Sequence, residues 1–572
     1  MATPRGDARW LFGPVTDLVF GCGLGYAILF LLQVFAGPQM REVFPLEYQP
    51  LLAVMLGMPH YGATLVRVYE RREERRKYAL FAVHTTILLA VLFLVGLRVA
   101  AVGSLLVTLY FTWSPWHYSG QNYGIALMFL RRRGVVVTPA VKRLIYASFL
   151  LSFALIVLTL HGVDPSASYA PGSSAGTMYR FIPVGIPVDV ANALFAVCGV
   201  AYLASFAAAG FLLLRRASPR ALGPSAAILG VQALWFGAPA LARQWGLLSG
   251  VDPFAPSQQA YSFIWIAVGH FIQYLWITSY YAVAAHREQS SGAAPHLRFL
   301  GKALLAGVAV WVVPQLLFAP RVLGGVPYDF GLGILVAALV NIHHFILDGA
   351  IWKLRDGPIA RVLLRSEAEP RVYEPIGESR GRGWPRRAAW ALGTLVVITG
   401  FATELETLSY RSAQQRGDLE GSRAVAERLR WLGRESPRQY MALAKLSLRA
   451  GKGEEALASL ERGIELYPTA EGWKALGNVR GSQGRPEQAL AAYREALELY
   501  PGDWQALYGT GINLLRLGRP DEAREVLERA VAAAPERRDI ARLLERATER
   551  SARRSGDAAA PQAAPAPVSD LR

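Results

Sequence analysis

Nine histidines occur in the chain, and five of them, His60, His117, His270, His343 and His344, fall inside long apolar segments. A polar ring in apolar surroundings is costly, so such residues turn towards one another or towards a polar partner. Imidazole nitrogens are metal ligands, and four or five of them without thiolates suit iron, copper or a haem better than a structural zinc site. A metal-bound imidazole gives its second N–H to a neighbour that fixes its tautomer. Residues three or four apart share a helical face, which nominates Thr64 for His60, Gln121 for His117, Gln273 and Tyr274 for His270, and Asp348 for His344. His343 and His344 point about 100° apart, so only one of them need face a shared site. For each histidine taken singly, an interhelical hydrogen bond is the plainer role. His84, His161, His286 and His296 lie near loops or segment ends and read as ordinary.

The elements that must position these side chains are apolar runs of roughly 18 residues or more, long enough to cross a ~30 Å hydrocarbon core. They are expected near 15–36, 48–66, 79–98, 101–130, 143–161, 187–214, 224–247, 260–285, 300–319, 330–352 and 387–404. A kink or break is expected at Ser114-Pro115, because proline removes a helical hydrogen bond. All the nominated histidines lie on segments of one direction. Along the sequence, His60 is 7 residues from Arg67, His343 is 10 from Lys353, His117 is 14 from Arg131 and His270 is 17 from Arg287. At ~1.5 Å per residue they sit about 10–25 Å from one edge, so they can converge at one depth. The run from Asn341 to Gly349, with His343, His344 and Asp348, is the densest polar stretch in any of these segments.

Loop charges set the orientation. Loops at 67–77, 131–143, 215–220, 286–302 and 353–387 are rich in Arg and Lys, whereas 37–47, 162–186, 248–259 and 320–329 have few or none. Under the positive-inside rule this alternation gives a cytoplasmic N-terminus and an extracytoplasmic C-terminal part, periplasmic in a Gram-negative host. The net charge of +17 therefore reads as loops held against anionic lipid and not as a nucleic-acid surface. Arg far outnumbers Lys and Ala is abundant, a composition of GC-rich bacterial genomes. The two cysteines, Cys22 and Cys198, lie in apolar segments and offer no disulfide framework. The external loop 162–186, rich in Ser, Gly and Pro, reads as a linker, with a lid as the alternative.

The remainder of the chain repeats. Trp473, Leu476, Gly477, Ala489, Tyr493, Ala496 and Pro501 stand at the spaced positions of a tetratricopeptide repeat. Leu507, Gly511, Ala523, Leu527, Ala530 and Pro535 follow 34 residues later, and Leu443, Ala444, Ala456, Leu460, Gly463 and Pro468 precede by 33. Small residues let paired helices approach closely, and prolines end the second helix. The fold expected is all-α, a polytopic transmembrane bundle of about ten or eleven helices followed by a soluble α-solenoid. Its parts are a multi-pass domain (1–404), a linker and capping helix (405–436), about three repeats (437–550) and a disordered Ala/Pro-rich tail (551–572). Stacked repeats form a concave surface for a protein or peptide partner.

Two of the histidine segments also carry a resemblance. Gly57-Met58-Pro59-His60-Tyr61-Gly62-Ala63-Thr64 resembles the Gly-x-Pro-His-Gly-Ala segment of the carotene-cleaving dioxygenases related to bacteriorhodopsin-related protein. Ser114-Pro115-Trp116-His117-Tyr118-Ser119-Gly120 is similar to that family's second segment. The resemblance covers about a tenth of the chain and implies a multi-helix membrane enzyme whose histidines bind a non-haem iron that uses O₂ on a long polyene. This sequence departs from the family in three ways: Tyr61 is inserted after the histidine, the acidic residue that closes the first motif is absent, and the His-His-x-x-x-Asp run is foreign to it.

The leading expectation is therefore a membrane oxygenase-like metalloprotein acting on a lipophilic small molecule. Iron would be its metal, with copper or haem as alternatives, and no catalytic acid or base is assigned. A second class, a lipid-linked glycosyltransferase or glycan ligase, needs paired acids in the first external loop, which offers only Glu42 and Glu47. A third, a non-enzymatic scaffold, accounts for the repeats and leaves the histidines without a role.

Overall fold

A computed structural model describes residues 9–36, 48–70, 72–162, 178–244, 256–286, 294–352, 362–364 and 383–555. It divides into two compact units, Met1–Leu408 and Ser409–Arg572, and the described residues are almost wholly helical. The long helices of the first unit are α1 (Leu24–Ala36), α2 (Gln49–Tyr69), α3 (Leu80–Gly96), α4 (Ala100–Arg132), α5 (Pro139–His161), α6 (Val188–Leu214), α7 (Pro219–Ala242), α8 (Pro256–His286), α9 (Ala294–Leu317), α10 (Leu332–Ile351) and α11 (Gly383–Gln415). The unit boundary falls inside α11. Glu42 and Glu47 lie outside the described residues.

Each of the eleven expected segments is helical, but they are not equivalent. Seven of the described helices are long and apolar enough to cross a membrane: α2, α5, α6, α7, α9, α10 and α11. The count becomes eight if Pro14–Gly21 and Leu24–Leu32 form one span. The expected single helix at 15–36 is in fact this pair, bent by 57°. Gly23 takes φ +77° at the corner, a conformation natural to glycine. Asp17 accepts hydrogen bonds there from the Leu11 and Phe12 amides and from Trp276 Nε1. Helix α3 is shorter, at 17 residues. The break expected at Ser114-Pro115 is absent, because α4 runs unbroken through Pro115. Ser114 Oγ bonds the Tyr110 carbonyl and Ser119 Oγ the Pro115 carbonyl, so hydroxyls share the local backbone bonding that proline disturbs.

Packing then follows from small residues and buried polar links. Helices α2 and α9 meet backbone to backbone: a Cβ on Gly62 would collide with the Ala303 carbonyl, and one on Gly307 with the Met58 carbonyl. Small residues four apart (Ala303 and Gly307) are what permit so close a crossing. The central helix α4 packs against α3, α5, α7 and α10. Gln232 of α7 joins this region, donating to Ser119 and Ser152 and accepting from Asn122. A segment at 178–187 lies along α4, where the Arg180 and Ile182 amides donate to Ser104 and Thr108 and Tyr179 Oη donates to the Gly96 carbonyl. His161 is bonded into the same row through Thr112 and the Val184 amide. Of the 162–186 loop, 163–177 lie outside the described residues.

The second unit contains α12 (Leu419–Trp431), three helix pairs and a last helix α19 (Arg538–Ser555). The pairs are α13 (Pro437–Arg449) with α14 (Gly453–Leu466), α15 (Ala470–Ser482) with α16 (Pro486–Leu499), and α17 (Trp504–Arg516) with α18 (Pro520–Ala533). The repeat signature is their core: Ala456, Ala489, Ala496, Ala523, Leu527 and Ala530 are fully buried. Tyr493 sits where any side chain on Gly477 or Gly509 would strike its ring. Ser436, Thr469 and Asp503 cap first helices with side-chain oxygens, satisfying otherwise orphaned amides. Of the tail expected from 551, residues 551–555 belong to α19, and 556–572 lie outside the described residues.

The α2–α9 crossing is directly testable. Gly62→Val or Gly307→Val is expected to cost about 3 kcal/mol through overpacking and to lower the melting temperature of the purified protein, read by tryptophan fluorescence. Gly120→Ala, whose Cβ would meet nothing within 4 Å, should melt like the parent.

Candidate metal centre

Four helices deliver one imidazole each to a common point. His60 comes from α2, one turn after a π-helical turn at Ala53–Gly57, His117 from the middle of α4, His270 from α8 and His344 from α10. All four are buried, and one nitrogen of each can be chosen so that all lie within 4.8 Å of one another. An ion bound at 2.0–2.1 Å by each nitrogen needs ligand atoms roughly 3–4 Å apart, close to the span observed. The rings meet edge to face, with centroids 4.3 Å apart for His60 and His344, 4.7 Å for His60 and His270 and 4.8 Å for His117 and His344.

The hydrogen bonding of these rings is incomplete. His60 Nδ1, His117 Nε2, His344 Nε2 and both nitrogens of His270 are buried with no hydrogen-bond partner among the described residues. Buried polar atoms normally find partners, so five orphans in one cluster single it out as a candidate ligand site. Asp348 adds a carboxylate beside them: its Oδ2 lies 3.6 Å from His344 Nε2 and 3.9 Å from His117 Nε2. Its Oδ1 accepts from Thr64 Oγ1 at 2.9 Å and from Tyr274 Oη at 2.6 Å. Thr64 also meets His344 Nδ1 at 3.0 Å, and Trp352 Nε1 donates to Tyr274 Oη. The donor set of imidazole nitrogens and one carboxylate fits a redox-active divalent metal such as iron, copper or manganese. Neither free cysteine, Cys22 or Cys198, belongs to the cluster.

The site residues named from sequence divide three ways. His60, His117, His270 and His344 come together. His343 does not join them: its Nε2 is held 2.8 Å from Thr86 Oγ1 and 3.2 Å from Tyr69 Oη, on the side of α10 that meets α3. The neighbouring residues keep to the site but change partners. Thr64 serves His344 instead of His60, and Tyr274 serves Asp348 instead of His270. Gln121 donates to Gln273, which in turn donates to the Gly21 carbonyl, so neither glutamine touches a histidine nitrogen. Their assignment assumed pairing along one helix, whereas packed helices offer nearer partners across the interface. Sequence reasoning missed Trp352 and Tyr61, whose hydroxyl donates to Asn341 while its ring lies against His60 and His344. It also missed Phe345, stacked on His117 with centroids 4.5 Å apart.

Comparison with known proteins brings out the C-terminal repeats. Residues 474–538 match the tetratricopeptide-repeat family, a stretch that takes in the second and third helix pairs. Among solved structures, the chain is similar to the MamA protein (20% identity, 27% of this chain and 86% of that one, TM-score 0.25). It is also similar to YrrB, a tetratricopeptide-repeat protein with an unusual peptide-binding site (19% identity, 29% and 83%, TM-score 0.23), and to the Cut9–Hcn1 hetero-tetramer of the APC/C (12% identity, 70% and 83%, TM-score 0.23). No curated protein matches the chain.

If Thr64 orients both His344 and Asp348, Thr64→Val should lower metal affinity about 10–100-fold, the usual effect of removing such an outer partner. Helical content should stay unchanged. His343→Ala should leave affinity unaltered. Elemental analysis after graded chelation distinguishes these outcomes.

Proposed function

We propose that the chain is an integral membrane metalloprotein of the oxygenase type, acting on a lipophilic small molecule, with a repeat domain that recruits a protein or peptide partner. One observation carries this reading: four buried imidazoles from four separate helices face one another, and each has at least one ring nitrogen with no hydrogen-bond partner among the described residues. Iron is the metal favoured, with copper or haem as alternatives. The seven or eight helices of spanning length and the alternation of basic loops support a bacterial inner-membrane setting with an extracytoplasmic repeat domain. The histidine segments that resemble carotene dioxygenases are the two that supply His60 and His117.

A bound iron or copper ion would supply the one-electron and O₂ chemistry that side chains lack. The chain's residues would do the rest. His60, His117, His270 and His344 would hold the ion, and Asp348, fixed by Thr64 and Tyr274, would offset its charge. Burial keeps water from the centre. A row of rings links the cluster to the surface: Trp113 is exposed on α4 and packs on Phe345, which stacks on His117. The glycan-ligase reading has no comparable support, and the scaffold reading still leaves the histidines unused.

The test is metal and haem content of the detergent-purified protein by elemental analysis and visible spectroscopy, beside a His117→Ala/His344→Ala double variant. Near-stoichiometric iron, copper or haem, lost in a variant of unchanged helicity, is expected, followed by O₂ uptake with lipophilic substrates. A colourless, metal-free protein that stays so after iron reconstitution would sink the reading.

A further inference from the structure

The repeat unit sorts its charges by helix. The first helices of the three pairs (α13, α15 and α17) together carry six basic residues and one acidic residue, Glu471. The second helices (α14, α16 and α18) carry four basic and eleven acidic residues. The two classes also differ in place. Consecutive first helices touch one another, α13 with α15, α15 with α17 and α17 with α19. Lys474 of α15 reaches Asp503 and Gln505 at the start of α17. Arg516 at the end of α17 donates to the Gly481 carbonyl of α15. The solenoid therefore curls towards its first helices, and they line the inner side, the surface such repeats use for binding.

At the two ends of this row basic groups are uncommitted, whereas Lys474 and Arg480 between them are ion-paired. Lys445 and Arg449 of α13 and Arg542, Arg546 and Arg550 of α19 are exposed, and none has an ion-pair partner among the described residues. Each set follows the four-residue spacing that places side chains on one helical face. On the second helices two of the four cations pair locally, Arg462 with Glu465 and Arg524 with Glu528. Half-buried Met441 lies beside the basic pair on α13, and half-buried Tyr508 and Ile512 lie on α17, between the two basic ends. The inner surface thus carries unpaired cations at both ends with apolar side chains on α13 and α17.

We propose that this surface binds an acidic, extended peptide segment of a partner protein, with an apolar or aromatic side chain near its centre. The proposal rests on the reading of the repeats as a partner-binding module and specifies the chemistry of the partner. A curved trough embraces an extended chain along its length, whereas a flat anionic bilayer would meet only its rims. Complementary charge of this kind sets specificity and steers encounter, and it weakens as salt screens it.

The experiment probes an array of random peptides, graded from acidic to basic, with the detergent-purified full chain. Retained peptides are then measured by fluorescence anisotropy across a salt series. Binding enriched in acidic peptides and weakened by salt is expected. Arg542→Glu/Arg546→Glu should weaken it by at least about tenfold. Arg494→Glu/Arg529→Glu, on exposed positions of the second helices, should leave it unchanged, and both variants should melt like the parent. Equal retention of neutral and acidic peptides would overturn this proposal while leaving partner binding intact. No retained peptide at all would remove both readings. Salt-sensitive capture of anionic lipid vesicles through Arg542 and Arg546, without acidic-peptide binding, would replace the peptide with a membrane surface.

Discussion

At the centre of the first unit four imidazoles are buried together, and five of their eight ring nitrogens have no hydrogen-bond partner among the described residues. A buried polar atom left unsatisfied costs about 1–3 kcal/mol. Five orphaned ring nitrogens then represent a penalty on the order of 10 kcal/mol, comparable to the whole stability of an ordinary domain. A chain can carry such a cluster only if something recovers that energy. Coordination would recover most of it, because the free lone pair of each imidazole would become a metal bond. Interhelical hydrogen bonding, the plainer role for a single histidine in an apolar helix, would instead have turned these rings towards the hydroxyls and amides close by. Thr64 and Tyr274 stand within reach of the cluster, yet they bond Asp348 and each other, and only His344 Nδ1 shares Thr64.

Holding four such rings in register demands rigid helices. The α2–α9 crossing supplies part of this rigidity, because Gly62 lies two residues from His60 and leaves no gap between its backbone and that of Ala303. On α4, continuity through Pro115 sets the height of His117, two residues further on. Helix α8 is placed by the bent N-terminal pair: Asp17 grips Trp276, and the Gly21 carbonyl accepts from Gln273, three residues after His270. Each of these three histidines is therefore positioned by a feature of its own helix within two turns of it. The arrangement depends on helix-to-helix contacts more than on bonds to the imidazoles themselves.

That design explains which features could be read from the sequence. The convergence of His60, His117, His270 and His344 was legible because distance from the basic loops fixes depth along a helix of known rise. Fold type was legible for the repeats as well, since three registers agree and their small residues occupy the buried contacts. The hydrogen-bond partners of these histidines were not legible. Thr64 lies four residues after His60 but turns to His344, because an adjacent helix presents a closer nitrogen than its own. The same limit hid the fate of His343, which only the position of Tyr69 and Thr86 decides. Gly23 and Pro115 show how local rules mislead: the glycine bends a helix expected to be straight, while the proline leaves intact one expected to break.

Asp348 completes the electrostatic argument. Four neutral imidazoles around a divalent ion would leave two positive charges in apolar surroundings, where an uncompensated charge costs several kcal/mol even after relaxation. One carboxylate halves that charge. Its two oxygens play separate parts, with Oδ1 committed to Thr64 and Tyr274 while Oδ2 faces His117 and His344. An isolated buried carboxylate is itself expensive, so the acid and the histidine cluster are each costly alone and compensate one another around a cation. This mutual dependence accounts for a lone aspartate four residues from His344 in a helix with no other acidic residue and no Lys or Arg.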